Sequence, residues 1–224
     1  MPACAQLPAV TMHRITEHHP CRSLLWSAAA VATLLLGVAV ACPNADCRPL
    51  SALDSAGLHL AHGWQAAWMT DLLHGATWLG SLWLLAPLSL LIAWQERRQK
   101  GWRVALFVPA NLLVVGIVSY ITTLAVARPR PDLFPALTAM PTDWSYPSGH
   151  SMQISALALA WLFRPGAVPS FQRLGIATLL IVVVAASRVY LQVHFPSDVI
   201  FGLLTTICCV MALREWPVWQ MKNP

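Results

Sequence analysis

Apolar runs of about 20 residues recur along this chain, and they constrain its fold more than any other feature. Six of them stand out, at 23–41, 72–94, 104–126, 149–163, 174–193 and 198–213. Backbone in hydrocarbon must satisfy its own hydrogen bonds, so only helices and closed barrels can cross. Runs this long exceed the strands of an outer-membrane barrel. Composition agrees: 57% of the residues are hydrophobic and only 10% charged, against about a quarter charged in soluble domains. The expectation is an all-α polytopic membrane protein with six transmembrane helices. One membrane domain, 23–216, lies between tails at 1–22 and 217–224. The fourth and sixth runs are short and each starts at a polar motif, so their outer ends are expected at headgroup depth. Between spans one and two, Leu50, Leu53, Leu60, Trp64 and Trp68 recur at helical spacing, with Asp54, His59 and His62 elsewhere on the wheel. That pattern predicts an amphipathic helix over 50–70, lying on the outer surface.

The basic residues orient the spans. Ten of the 14 lysines and arginines fall in the N-terminal tail, "QERRQKGWR", "RPGAVPSFQR" and the C-terminal tail. With six spans these four segments share one side, which the positive-inside rule makes cytoplasmic. Both termini are then cytoplasmic, and the net charge of +5 reflects anchoring to anionic lipid rather than a nucleic-acid partner. "AVA" before Cys42 is similar to a signal-peptidase site. The preceding apolar run exceeds the usual signal-peptide core, so it is read as an uncleaved anchor. Cys42 and Cys47 share the predicted outer loop, where a disulfide and two free thiols both remain open. Cys208 and Cys209 are expected to pack mid-span, and Asn111 to hydrogen-bond between helices. No Cys/His spacing is similar to a zinc site, and neither metal nor cofactor is expected.

Four arginines, Arg48, Arg128, Arg130 and Arg188, fall on the wrong side of the charge rule. Three of them lie in two polar motifs at the outer ends of spans, "ARPRPDLF" and "SRVYLQVHFPSD", and a third motif, "PSGH", opens span four on the same face. Ser148 is a good helix N-cap, and Gly149 permits close approach to the backbone. A helix N-terminus attracts anions. Arg130 and Arg188 add planar forks suited to phosphate oxygens. His194 and Asp198 are four apart, so the carboxylate can accept one imidazole N–H and leave the other nitrogen as a nucleophile. His150 can then deliver a proton to a leaving oxygen. Arg128 reads as a helix-end flank, and Asp132 and Asp143 as solvated loop charges.

This constellation resembles the type 2 phosphatidic acid phosphatase superfamily, whose pattern is Lys-x6-Arg-Pro, Pro-Ser-Gly-His and Ser-Arg-x5-His-x3-Asp. The second motif is intact at Pro147, Ser148, Gly149 and His150, and the third at Ser187, Arg188, His194 and Asp198. The first ends correctly at Arg130-Pro131, but Thr123 stands where the pattern has lysine. The resemblance implies a phosphohistidine at His194 oriented by Asp198, with His150 as acid and then base. It also implies a phosphate held by Arg130, Arg188, Ser148 and the Gly149 backbone, with Thr123 two helical turns from Arg130 on the same face. The implied activity is metal-independent hydrolysis of a lipid phosphate at the periplasmic or exterior face of a bacterial inner membrane. Undecaprenyl diphosphate, phosphatidylglycerophosphate, phosphatidate and lipid A phosphates are the candidate substrates. A phosphotransferase could use the same intermediate. A non-enzymatic lipid-phosphate binder or transporter would need the arginines but not His194 and Asp198 beside His150. Neither sequence nor resemblance addresses oligomeric state.

Overall fold

A computed structural model describes residues 20–43, 46–47 and 50–220. The N-terminal tail with His13, His18 and His19, together with Cys4, Arg48 and residues 221–224, lies outside them. Among the described residues there are helices and no strands. They are α1 (Pro20–Ala41), α2 (Ala52–Gly63), α3 (Ala67–Ala76), a 3-10 turn (Thr77–Gly80), α4 (Leu82–Lys100), α5 (Trp102–Val126), α6 (Gly149–Phe163), α7 (Phe171–Tyr190), α8 (Pro196–Arg214) and the short α9 (Pro217–Gln220).

Among the described residues, α1, α5, α7 and α8 are long and apolar enough to cross a bilayer, and the α3–α4 pair is a fifth candidate. The 15 residues of α6 rise about 22 Å, short of the roughly 30 Å hydrocarbon core. This helix is the centre of the bundle, packed against α4, α5, α7 and α8. Its Met152, Ile154, Ala156 and Ala160 are buried with Leu85, Phe107, Val115 and Val184 of its neighbours. A helix sheathed by others need not span the hydrocarbon itself. Leucines and valines such as Leu24, Leu35, Leu90, Leu113, Leu179 and Val182 face outward, as a lipid-facing surface requires. Exposed tryptophans cluster at the bundle's two ends, Trp64, Trp68 and Trp83 at one and Trp94, Trp102 and Trp216 at the other, as in interfacial belts.

Four expectations change. The second span, expected unbroken over 72–94, bends by 50° between the 3-10 turn and α4. The break has a steric cause. A Cβ on Gly80 would sit 2.7 Å from Val184 Cγ1 and 2.9 Å from His150 Cβ, so only glycine lets this turn press against α6 and α7. Ser81 then starts α4, its Oγ accepting the Trp83 N–H. The amphipathic segment forms two helices, α2 and α3, and Asp54 is buried, not solvated. The fifth span ends at Tyr190 rather than 193. Asn111 donates to the Phe107 carbonyl one turn back in α5, at 2.7 Å, instead of bridging helices. Cys42 and Cys47, for which two states were open, are joined as a disulfide.

The relative arrangement of the loops matches the charge pattern. Arg164 Nε donates to Glu96 Oε1 at 2.8 Å, which joins the C-terminal part of α4 to the end of α6. Ser23 Oγ donates to the Ala212 carbonyl, placing the start of α1 beside the end of α8. The basic loops therefore share one end of the bundle. The C-termini of α5 and α7 and the N-termini of α6 and α8 share the other.

Candidate active site

At that second end a cavity of about 650 Å³ opens, its wall including Thr123, Arg130, Gly149, His150, Arg188 and His194. Six of the eight residues singled out from sequence are thus brought together. Asp198 stands behind the wall and Ser148 is turned away from it.

His194 is held by the turn between α7 and α8. Gln192 adopts a left-handed conformation, φ 59°, and the Arg188 carbonyl accepts both the Val193 and His194 N–H groups at 3.2 Å. The ring is 2% exposed. Its Nδ1 lies 2.8 Å from the Ser145 carbonyl oxygen. A carbonyl only accepts, so this contact assigns the proton to Nδ1 and leaves a lone pair on Nε2. Nε2 faces Arg130 Nη1 at 3.2 Å. Asp198 was expected to take the imidazole N–H directly, but its Oδ2 is 3.5 Å from Nδ1, a poor hydrogen bond beside the Ser145 contact. The carboxylate instead accepts Ser145 Oγ–H, the Phe195 N–H at 3.0 Å and Arg128 Nη1 at 2.5 Å. Asp198 therefore holds His194 chiefly through Ser145.

Burial pushes His194 down to about 4, and Arg130 and Arg188 act in the same direction while the Asp198 interaction opposes them. The ring thus stays neutral, with Nε2 unprotonated and accepting from Arg130, down to well below the usual histidine range near 6.5. The folded ring is expected to titrate near pH 4, as read from its ¹⁵N shifts across pH, and a midpoint near 6.5 would contradict it. Stability follows the same sign. Between pH 6.5 and 4 the unfolded chain binds a proton that the folded chain does not, so His194 removes stability as pH falls through that window.

The phosphate-binding candidates are tied down unequally. Arg130 Nη1 donates to the Val193 carbonyl at 2.6 Å, and its Nε to the Asp143 carbonyl at 2.8 Å. Its Nη2 pairs with the Asp143 carboxylate at 2.6 Å. Asp143 is 67% exposed, the solvated loop charge expected, and is in addition the ion-pair partner of Arg130. Arg188 is 4% exposed; its Nη1 donates to Thr77 Oγ1 at 2.7 Å, and its buried Nε has no partner. At Gly149 an added Cβ would meet only ordinary contacts, at 3.7 Å, so protein packing does not demand the glycine. Ser148 departs from expectation: its hydroxyl is fully buried against Ser151 Oγ at 2.9 Å and caps nothing. Its backbone N–H goes to the Asp198 carbonyl.

Arg128 is not the helix-end flank expected. It is completely buried, paired with Asp54 at 2.7 Å and Asp198 at 2.5 Å. It also donates to Ser197 Oγ and lies over the Phe195 ring. Its carbonyl accepts the Ser145 N–H at 2.8 Å. Ser145, Asp54, Ser197 and Thr77 carry this scaffold and were not found from sequence. Among the described residues no three His, Cys, Asp or Glu side chains converge as a metal site.

Residues 104–222 match the family model of the PAP2 superfamily. Phosphatidylglycerophosphatase B of Bacillus subtilis is 32% identical over 146 residues, covering 60% of this chain and 68% of that protein. Decaprenylphosphoryl-5-phosphoribose phosphatase of Mycobacterium tuberculosis is 33% identical over 54% of this chain and 63% of its own length. The undecaprenyl-diphosphatase of Sulfolobus acidocaldarius is 30% identical over 52% and 54%. The fold is shared with a solved transmembrane PAP2 type phosphatidylglycerolphosphate phosphatase from Bacillus subtilis, with TM-score 0.70 and 24% identity over 84% of this chain and 94% of that one. The helical scaffold and the motif residues at its cavity define a membrane phosphatase class. The chain belongs to the PAP2 superfamily.

Proposed function

We propose that this membrane lipid phosphatase cleaves a phosphate monoester or diphosphate of a lipid through a phosphohistidine on His194. The observation that carries the reading is the His194 ring: Nδ1 is committed to the Ser145 carbonyl, and Nε2 faces Arg130 Nη1 in a cavity wall that Arg188 also lines. Nε2 attacks phosphorus, the bond from phosphorus to the leaving oxygen breaks, and His150 gives that oxygen a proton. His150 then takes a proton from water, whose oxygen attacks the phosphoryl group. The P–N bond breaks, releasing inorganic phosphate and restoring His194. Arg130 and Arg188 hold the equatorial oxygens as charge develops. The tryptophans around this end support a headgroup-level site with lipid tails in the bilayer. The basic loops at the opposite end support an orientation facing the periplasm or exterior, with cytoplasmic termini. All three relatives named above are phosphatases whose names denote lipid-borne phosphates, which supports the same substrate class here.

The test is phosphate release by detergent-purified protein from a panel: phosphatidate, phosphatidylglycerophosphate, undecaprenyl diphosphate and lipid A. Chelator is present throughout. Turnover on at least one lipid phosphate is expected. Turnover on none, or only on restoring a divalent cation, would overturn the reading.

Thr123 is 9% exposed and lines the cavity. Thr123→Lys would add a cation to the phosphate site. A charge-assisted bond of about 1.5–3 kcal/mol corresponds to inhibition by inorganic phosphate strengthened about tenfold or more. Unchanged phosphate inhibition and unchanged kinetics on every lipid would refute a role for this position.

A further inference from the structure

The outer helix α2 lies before the stretch matched by the family model, yet one of its faces is locked to the turn that carries the nucleophile. Asp54 Oδ1 accepts the Ser197 N–H at 2.9 Å, and Oδ2 accepts Ser197 Oγ–H at 2.9 Å and Arg128 Nη2 at 2.7 Å. Three residues on, Gly57 meets Pro196 so closely that a Cβ would lie 2.3 Å from its Cγ. At the next position the Leu58 carbonyl accepts Gln192 Nε2–H at 3.3 Å. Asp54, Gly57 and Leu58 occupy one helical face, and together they grip the turn on both sides of His194. Asp54, Arg128, Ser197, Gln192 and Asp198 are each wholly buried.

We propose that Asp54 is a positioning residue for the nucleophile, acting through Arg128 and Ser197, and that α2 is thereby part of the catalytic scaffold. The claim rests on His194 being the nucleophile. Arg128 carries the link: one amino group engages Asp198 and the other Asp54, while its backbone carbonyl fixes Ser145, whose own carbonyl holds His194 Nδ1. A carboxylate at 54 keeps the guanidinium aligned in both directions. A neutral amide there leaves a buried guanidinium with one anion, which draws Arg128 and Ser145 away from the histidine. Packing alone would need only a side chain of the right volume at this place.

The test compares Asp54→Asn, Asp54→Glu and Ser197→Ala in full-length protein in detergent, with phosphatidylglycerophosphate and undecaprenyl diphosphate as probes. Asp54→Asn is expected to lower kcat on the order of tenfold to a hundredfold, the scale at which groups behind a reacting shell act, with KM little changed. Asp54→Glu should recover part of it. Ser197→Ala leaves both ion pairs in place and is expected to show a smaller fall in kcat alone. A second readout needs no turnover: ¹⁵N shifts of the His194 ring should report a single Nδ1–H tautomer in the wild type and a mixture in Asp54→Asn. Should Asp54→Asn not fold, Ser197→Ala and Asp54→Glu carry both measurements. Variants that melt earlier but keep kcat and the wild-type tautomer would make α2 a structural brace and overturn the proposal. A wild type without turnover would instead count against the functional reading, and the tautomer would still decide positioning.

Discussion

His194→Gln is expected to give a folded chain that releases no measurable phosphate, a loss of about 10⁴-fold or more, as for removal of other covalent nucleophiles. Glutamine approximates the reach of the imidazole, and its amide N–H can still meet the Ser145 carbonyl. It has no nitrogen lone pair to attack phosphorus. The substitution therefore separates chemistry from architecture, since Arg130, Arg188 and the cavity remain. Substrate should still bind, and orthovanadate should compete with it. Rapid acid-free quenching with labelled substrate should trap a phosphoenzyme in the wild type that is stable to base and labile to acid. In the variant the label should be absent. Turnover retained within about tenfold of wild type, or label still incorporated, would remove His194 from the role of nucleophile.

Arg128→Met is expected to cost about 3–5 kcal/mol of stability, the scale for removing one partner of a buried ion pair. The side chain is fully buried between Asp54 and Asp198, which are also fully buried. Methionine matches the stem but leaves two carboxylates facing each other without a cation, so one must take up a proton or draw in water. Arg128→Lys keeps the charge but offers a single ammonium where the planar fork serves both carboxylates and Ser197, so an intermediate loss is expected. Because the pairs are shielded from solvent, the loss should depend little on ionic strength. Denaturant titration in detergent measures it. A change below about 1 kcal/mol would show that the network does not hold this end of the bundle together.

The difference between Arg128 and Arg130 shows what a linear pattern can and cannot distinguish. Both precede proline in "ARPRPDLF", and both lie in the loop past the left-handed cap of α5 at Ala127, so the helical face expected to join Thr123 and Arg130 does not reach Arg130. Spacing to the lysine position of the family pattern singled out Arg130, which reaches His194. It carried no information on Arg128, whose partners lie 74 residues before and 70 after it. Asp54 was obscured for a related reason. A carboxylate on a surface helix reads as solvated unless a buried cation is known to lie opposite. Ser145 leaves no local signal, because its contribution to His194 is a backbone carbonyl, and every residue has one. Ser148 illustrates the reverse error: an intact motif position suggested a hydroxyl turned to the ligand, whereas packing turns it to Ser151.

By itself the chain determined its class and marked out its candidate reactive groups. Uninterrupted apolar runs can be satisfied only as membrane helices, and the loop arginines divide one end of the bundle from the other. The Pro-Ser-Gly-His and Ser-Arg-x5-His-x3-Asp spacings place both histidines at helix ends, where side chains can meet a headgroup. Tertiary structure alone decided which nitrogen of His194 is unprotonated, that α4 bends away at Gly80 to back His150, and that α2 closes over the turn carrying His194. Those choices depend on backbone carbonyls, buried ion pairs and steric contacts between residues far apart in sequence, which exist only once the helices have packed.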